Sequence, residues 1–112
     1  MKIQIETRCP REGVAVIVVT GEMDVHTAPK LRDEIRGLLE DGVSRLVVDL
    51  HSVDHLDSTA LGILISALRR TTEVGGALRL LATPRVQRIF EMTGLNKVFQ
   101  VAATEEEALA QL

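Results

Sequence analysis

Apolar and polar positions switch periodicity several times along the chain. Ile3-Gln4-Ile5 alternates with period two, as a half-exposed strand does. Cys9-Pro10-Arg11-Glu12-Gly13 reads as a turn. Val14-Ala15-Val16-Ile17-Val18-Val19 is a continuous, largely β-branched run, the pattern of a strand buried on both faces, and Gly21 is expected to end it. Thr27 is placed to cap a helix that admits Pro29 in its first turn. Leu31, Ile35, Leu38 and Leu39 then form one apolar stripe that Gly42 closes. Leu46-Val47-Val48-Asp49-Leu50 predicts the next buried strand. The polar stretch from His51 to Thr59 reads as a connection ending in three good capping residues. Leu61, Leu64, Ile65 and Leu68 give a second helical stripe, broken at Gly75-Gly76, and Ala77–Leu81 a further strand. Thr83-Pro84 opens a third helix with Val86, Ile89 and Phe90 facing inward and Gly94 at its end. Val98–Val101 reads as a short strand. Thr104 and Glu107 form a capping box for a last helix, whose first turn carries Glu105, Glu106 and Glu107.

The order strand-strand, then helix-strand repeated, then a final helix, implies βαβ crossovers. The expected fold class is α/β: one domain over residues 1–112, a mostly parallel mixed sheet with an N-terminal antiparallel hairpin, and about four helices. No linker, repeat or low-complexity stretch interrupts it.

Composition narrows the function. The 112 residues carry 13 Lys+Arg against 16 Asp+Glu, a formal charge of −3, which disfavours a general nucleic-acid binder. Two Phe and no Trp or Tyr leave no platform for stacking bases. Cys9 is the one cysteine, so no disulfide forms within the chain. No apolar run reaches the ~20 residues that span a bilayer. The first residues alternate polar and apolar and lack the apolar core of a signal peptide, so a cytoplasmic location is expected.

Asp57-Ser58-Thr59-Ala60-Leu61-Gly62 lies where a strand's carboxyl end turns into a helix, the usual ligand edge of an α/β sheet. Asp, Ser and Thr there can simply cap the helix. Alternatively, Ser58 is a modification site: an exposed hydroxyl at the positive end of a helix. A phosphate on it gains about 0.3–1 kcal/mol from the helix terminus and takes the formal charge from −3 to about −5. Ala60, Ile63 and Ala67 follow on an adjacent face with Gly62 mid-helix; the set is either buried packing or an apolar docking strip beside the serine. Gly21-Glu22-Met23-Asp24 leaves a strand at the same sheet edge and is either an acidic turn or a second rim of one surface. A hydrolase triad from Ser58, His51, His55 and Asp49 or Asp54 lacks the flanking glycines of a nucleophile elbow, since those positions hold Leu56 and Ala60. His51 and His55 have a zinc-compatible spacing only on a helix, and they fall in a connection. Gly75-Gly76 is not followed by the Lys-Ser/Thr of a phosphate loop. No enzyme, metal or cofactor is therefore expected.

Taken together, three blocks resemble the STAS-domain anti-sigma factor antagonists, bacterial regulators of sporulation and general stress. They are Gly21-Glu22-Met23-Asp24 with Thr27-Ala28; Asp57-Ser58-Thr59-Ala60-Leu61-Gly62; and Val86–Phe90 with Met92-Thr93-Gly94-Leu95, ending near Phe99. The resemblance runs from about Val14 to Leu109. It implies partner switching. The unphosphorylated antagonist binds an anti-sigma factor that is also a serine kinase, and thereby releases the sigma factor. Phosphorylation of the antagonist ends the contact, and a metal-dependent serine phosphatase restores it. By the resemblance, Ser58 is the phosphoacceptor, with Thr59 second choice, and the partner-binding surface includes Glu22, Met23, Asp24, Thr27, Asp57, Ser58, Thr59, Ala60 and Ile63. ATP and metal belong to the partners; no direct nucleic-acid contact or membrane insertion is implied. The sequence departs from the commonest pattern, Asp-Ser-Ser-Gly-Leu-Gly, at Thr59 and Ala60. An alternative within the same fold is a STAS scaffold that is never phosphorylated, or a subunit of a transporter or sensory complex.

Overall fold

Among the described residues, nine strands and α-helices follow the expected alternation: β1 (Ile3–Arg11), β2 (Val14–Met23), α1 (Ala28–Glu40), β3 (Arg45–Leu56), α2 (Ser58–Glu73), β4 (Ala77–Leu81), α3 (Pro84–Thr93), β5 (Gln100–Ala102) and α4 (Glu105–Ala110), with a 3₁₀ turn at Leu95–Lys97. The structure, a computed structural model, describes residues 2–112. The strands form one sheet in the order β1-β2-β3-β4-β5. β1 pairs antiparallel with β2, and every other pair is parallel. Consecutive parallel neighbours joined by crossovers of one hand place the connecting helices on one face of the sheet. The core records this: Ala15, Ile17, Val19, Leu46, Val48, Leu78 and Leu80 pack with Leu31 and Ile35 of α1, Leu64 of α2, and Val86 and Phe90 of α3. The intervening residues Val16, Val47, Leu81 and Ala102 face the other way, under Ala108 of α4. Three arginines fasten α4: Arg8 pairs with Glu105, and Arg11 and Arg79 donate to the carbonyls of Leu109 and Gln111 at 3.1 and 3.2 Å.

Several boundaries depart from the sequence reading. Cys9 and Pro10 lie inside β1, and the turn is confined to Glu12-Gly13. β1 is an edge strand, where Pro costs no ladder bond, and the register shifts between Arg8 and Arg11 around it. β2 continues past Gly21 to Met23. Gly21 has φ +115° at an irregularity of the ladder, and a Cβ there would collide with the Lys2 carbonyl oxygen. The segment His51–Leu56 is not a connection: β3 runs through it, paired with β2 as far as Met23↔Leu56. The last strand begins at Gln100, and Val98 is exposed in the turn before it. The stripe assigned to the second helix is also rotated: Ala60, Leu64, Ala67 and Thr71 form the buried line of α2, with Leu61, Ile65 and Leu68 on its flank.

Candidate functional site

Parallel pairing brings the carboxyl ends of β2 and β3 to one edge, with Glu22 opposite His55 and Met23 opposite Leu56. The chain leaves β2 through the loop Asp24–Thr27 and leaves β3 through Asp57 into α2. One backbone bond joins the two exits: the Asp57 N–H donates to the Met23 carbonyl at 3.1 Å. The two segments that sequence spacing assigns to one edge are thus physically contiguous.

Asp57 is the N-cap of α2, and its Oδ1 accepts the Ala60 N–H at 3.0 Å. The helix ladder starts with Leu61 N–H to the Asp57 carbonyl, so the N–H groups of Ser58 and Thr59 have no partner within the helix. Ser58 is the first helical residue and is exposed; Thr59 is half-buried. Capping and an accessible hydroxyl therefore belong to different residues. Asp57 caps, which leaves the Ser58 hydroxyl free at the positive end of a 16-residue helix.

The other rim is a closed turn. Asp24 Oδ1 accepts the N–H groups of His26 and Thr27 at 2.8 and 3.0 Å. The Thr27 hydroxyl donates to the Glu22 carbonyl and accepts the Asp24 N–H at 3.0 Å. The cap expected of Thr27 is consequently not made: its side chain bonds backward into the loop and gives α1 no capping bond. The His26 N–H, followed by the Thr27 N–H and hydroxyl and the His26 charge, stabilises ionised Asp24 against partial desolvation and holds its carboxyl below the ordinary carboxylate range.

The residues expected at a partner surface divide into two groups. Ser58 is exposed, and Glu22, Asp24, Asp57, Thr59 and Ile63 are half-buried with part of each at the surface. Met23, Thr27 and Ala60 are buried, at 0%, 4% and 0% exposure. The side chains of Met23 and Ala60 fill the core beneath the rim, and Thr27 ties the loop. The apolar strip Ala60-Ile63-Ala67 is likewise core at both ends, with only Ile63 reaching the surface. Gly62 does not mediate close packing; a Cβ there meets no atom within 4 Å, so the helix backbone is bare at that point. The sequence reading missed Val25, 57% exposed at the loop tip, and exposed His26 beside it. The available signal was an apolar residue within an otherwise polar turn.

Among the described residues no group of three or more His, Cys, Asp or Glu is arranged to hold a metal ion. His51 and His55 lie along a strand, where four residues span about 13 Å, and His51 is occupied with Asp49, Nδ1 to Oδ1 3.0 Å. Nor is any described helix long and apolar enough to cross a membrane.

Comparison with known proteins adds four findings. The family model of the STAS domain matches residues 4–108. The anti-sigma-B factor antagonist of Bacillus subtilis (strain 168) is 32% identical over 107 residues, covering 95% of this chain and 96% of the relative. The crystal structure of an anti-sigma factor antagonist from Mycobacterium paratuberculosis is similar with TM-score 0.84 at 32% identity, over 97% of this chain and 92% of that one. The Bacillus cell fate determinant SpoIIAA in its phosphorylated form shares the fold, with TM-score 0.74 at 24% identity over 96% of this chain and 98% of its own.

Proposed function

The chain belongs to the STAS domain family, and we propose that it is an anti-sigma factor antagonist switched off by phosphorylation of Ser58. The observation that carries the proposal is the placement of Ser58. Its hydroxyl is exposed on the first residue of α2, Asp57 takes over the capping role, and the Asp24–Thr27 loop is hydrogen-bonded alongside.

In this reading the unphosphorylated protein works in the cytoplasm by binding and performs no catalysis. It presents Glu22, Asp24, Asp57, Ser58, Thr59 and Ile63 to an anti-sigma factor that is also a serine kinase, and the sigma factor is released. Transfer of a phosphoryl group to Ser58 Oγ adds roughly −1.5 to −2 charge beside Asp57 and Asp24. The fold tolerates this, because the group sits outside the core at a helix N-terminus whose unpaired N–H groups favour an anion. A partner surface shaped for the neutral hydroxyl then meets a strongly hydrated dianion, and desolvating it opposes binding. A serine phosphatase resets the switch. Thr59, half-buried and one residue further into the helix, is the less accessible acceptor.

The test is reconstitution with the cognate kinase and ATP. One phosphate is expected on the wild type and none on Ser58→Ala, which retains partner binding; Ser58→Asp binds at least about tenfold more weakly, ~1.4 kcal/mol. Equal phosphorylation of Ser58→Ala refutes the site. Intact-mass spectra from native cells that never show a phosphorylated species favour a scaffold or sensory subunit instead.

A further inference from the structure

α1 and α2 lie side by side on the sheet, and the crevice between them is lined by Arg32, Ile35 and Arg36 from one helix and Ile63, Ala67 and Arg70 from the other. Its floor is apolar: Ile35 and Ala67 are buried and Ile63 is half-buried. Its rim is cationic. Arg32 and Arg36 stand one turn apart and share a single carboxylate, Asp33, at 3.3 and 2.8 Å. Arg70 forms no ion pair among the described residues. These three arginines and one aspartate carry +2 in a chain whose formal charge is −3. Like charges spaced i, i+4 repel across a turn, and the third arginine faces the same crevice; bound carboxylates relieve that repulsion.

We propose that this crevice docks an acidic segment of a protein partner, which lays an apolar side chain over Ile63 while its carboxylates pair with Arg36 and Arg70. Guanidinium groups match carboxylates in two-pronged geometry, and an apolar floor between cationic rims suits an amphipathic segment. A membrane surface or a nucleic acid fits less well, because the remainder of this acidic chain repels an extended polyanion. The site joins the rim surface through Ile63 but does not rest on phosphorylation. Arg70 lies 12 positions beyond Ser58, about 18 Å along the helix, which exceeds the Debye length of about 8 Å at physiological salt. At that separation a phosphate on Ser58 is largely screened from Arg70, at the far end of the crevice.

The probe is an acidic amphipathic peptide of glutamates with leucine at every fourth position, titrated into the full ¹⁵N-labelled chain at physiological ionic strength. Saturable shifts are expected at Arg32, Arg36, Ile63, Ala67 and Arg70. The surface variant Arg36→Gln/Arg70→Gln is expected to bind about fivefold more weakly. Shifts centred on Ser58, equal binding by the double variant, or equal occupancy of the crevice by phosphatidylserine vesicles or duplex DNA overturn the proposal. The titration needs no kinase, so its failure and the failure of the Ser58 assignment are read separately.

Discussion

Replacing Asp57 with alanine removes the oxygen that accepts the Ala60 N–H at 3.0 Å and leaves that donor to water. Loss of an N-cap of this type costs about 1 kcal/mol, within a range of about 0.5–2. For 112 residues that lowers Tm by roughly 4 °C. Asp57→Asn separates the two contributions of the side chain. It keeps an acceptor oxygen at the cap but removes the charge, so only the charge–dipole share of a few tenths of a kcal/mol is lost. Both variants keep the backbone bond from residue 57 to Met23. Thermal and urea unfolding followed by circular dichroism, at physiological and at high salt, measure the difference. The loss in the alanine variant is expected to shrink at high salt only by that charge–dipole share, leaving the hydrogen-bond part, whereas the small loss in the asparagine variant disappears at high salt. If asparagine destabilises as much as alanine, the hydrogen bond is not what holds the start of α2 and the separation of cap from hydroxyl is wrong. With the frame intact, the asparagine variant also isolates charge in the kinase assay: a phosphate beside residue 57 meets less repulsion and accumulates more completely.

Ala60→Leu inserts three carbons into a site with 0% exposure and is expected to cost ~1–3 kcal/mol by chemical denaturation; a neutral result would return Ala60 to the surface. Gly62→Ala places a methyl where no atom lies within 4 Å and is expected to raise stability by up to ~1 kcal/mol. Unchanged or lowered stability refutes that, and weaker partner binding by this stabilised variant would mark the bare backbone as a contact. The folded-state pKa of Asp24 is depressed, so its contribution to stability is present above the ordinary carboxylate range and is lost as pH falls through the lower folded value. Amide shifts of His26 and Thr27 should titrate with a midpoint below that of a free aspartate, and a midpoint at or above the free value contradicts the turn.

The hydrophobic pattern carried the element order and the sheet because Val14–Val19, Leu46–Leu50 and Ala77–Leu81 are central strands. It misled where a strand is half-paired. β3 and β4 pair only from Arg45↔Ala77 to Asp49↔Leu81, so beyond Leu50 β3 meets β2 alone and tolerates His51, Ser52, Asp54 and His55. A ladder open on one side needs no continuous apolar run, and its sequence looks like a loop. In α2 the error was one of size. Small Ala60 and Ala67 occupy the centre of the buried face, while larger Leu61, Ile65 and Leu68 spread along its flank. Reading apolarity without volume moves the stripe toward the bulky residues. At the site, Asp57, Ser58 and the 22–24 rim were legible from spacing. The inward turn of Met23 and Thr27 was not, because it depends on hydrogen bonds between residues two to five apart within the loop.

The bond from Asp57 N–H to the Met23 carbonyl uses main-chain atoms only. Among the standard residues only proline at position 57 deletes it, since every other residue supplies the same donor. The side chains on either side are therefore exchangeable fittings on a fixed bracket. A copied and diverging chain can trade Val25, His26 or Thr59 for other residues and keep Ser58 at the same height above the sheet. What the rim recognises can then drift residue by residue, with no intermediate that loses the mount.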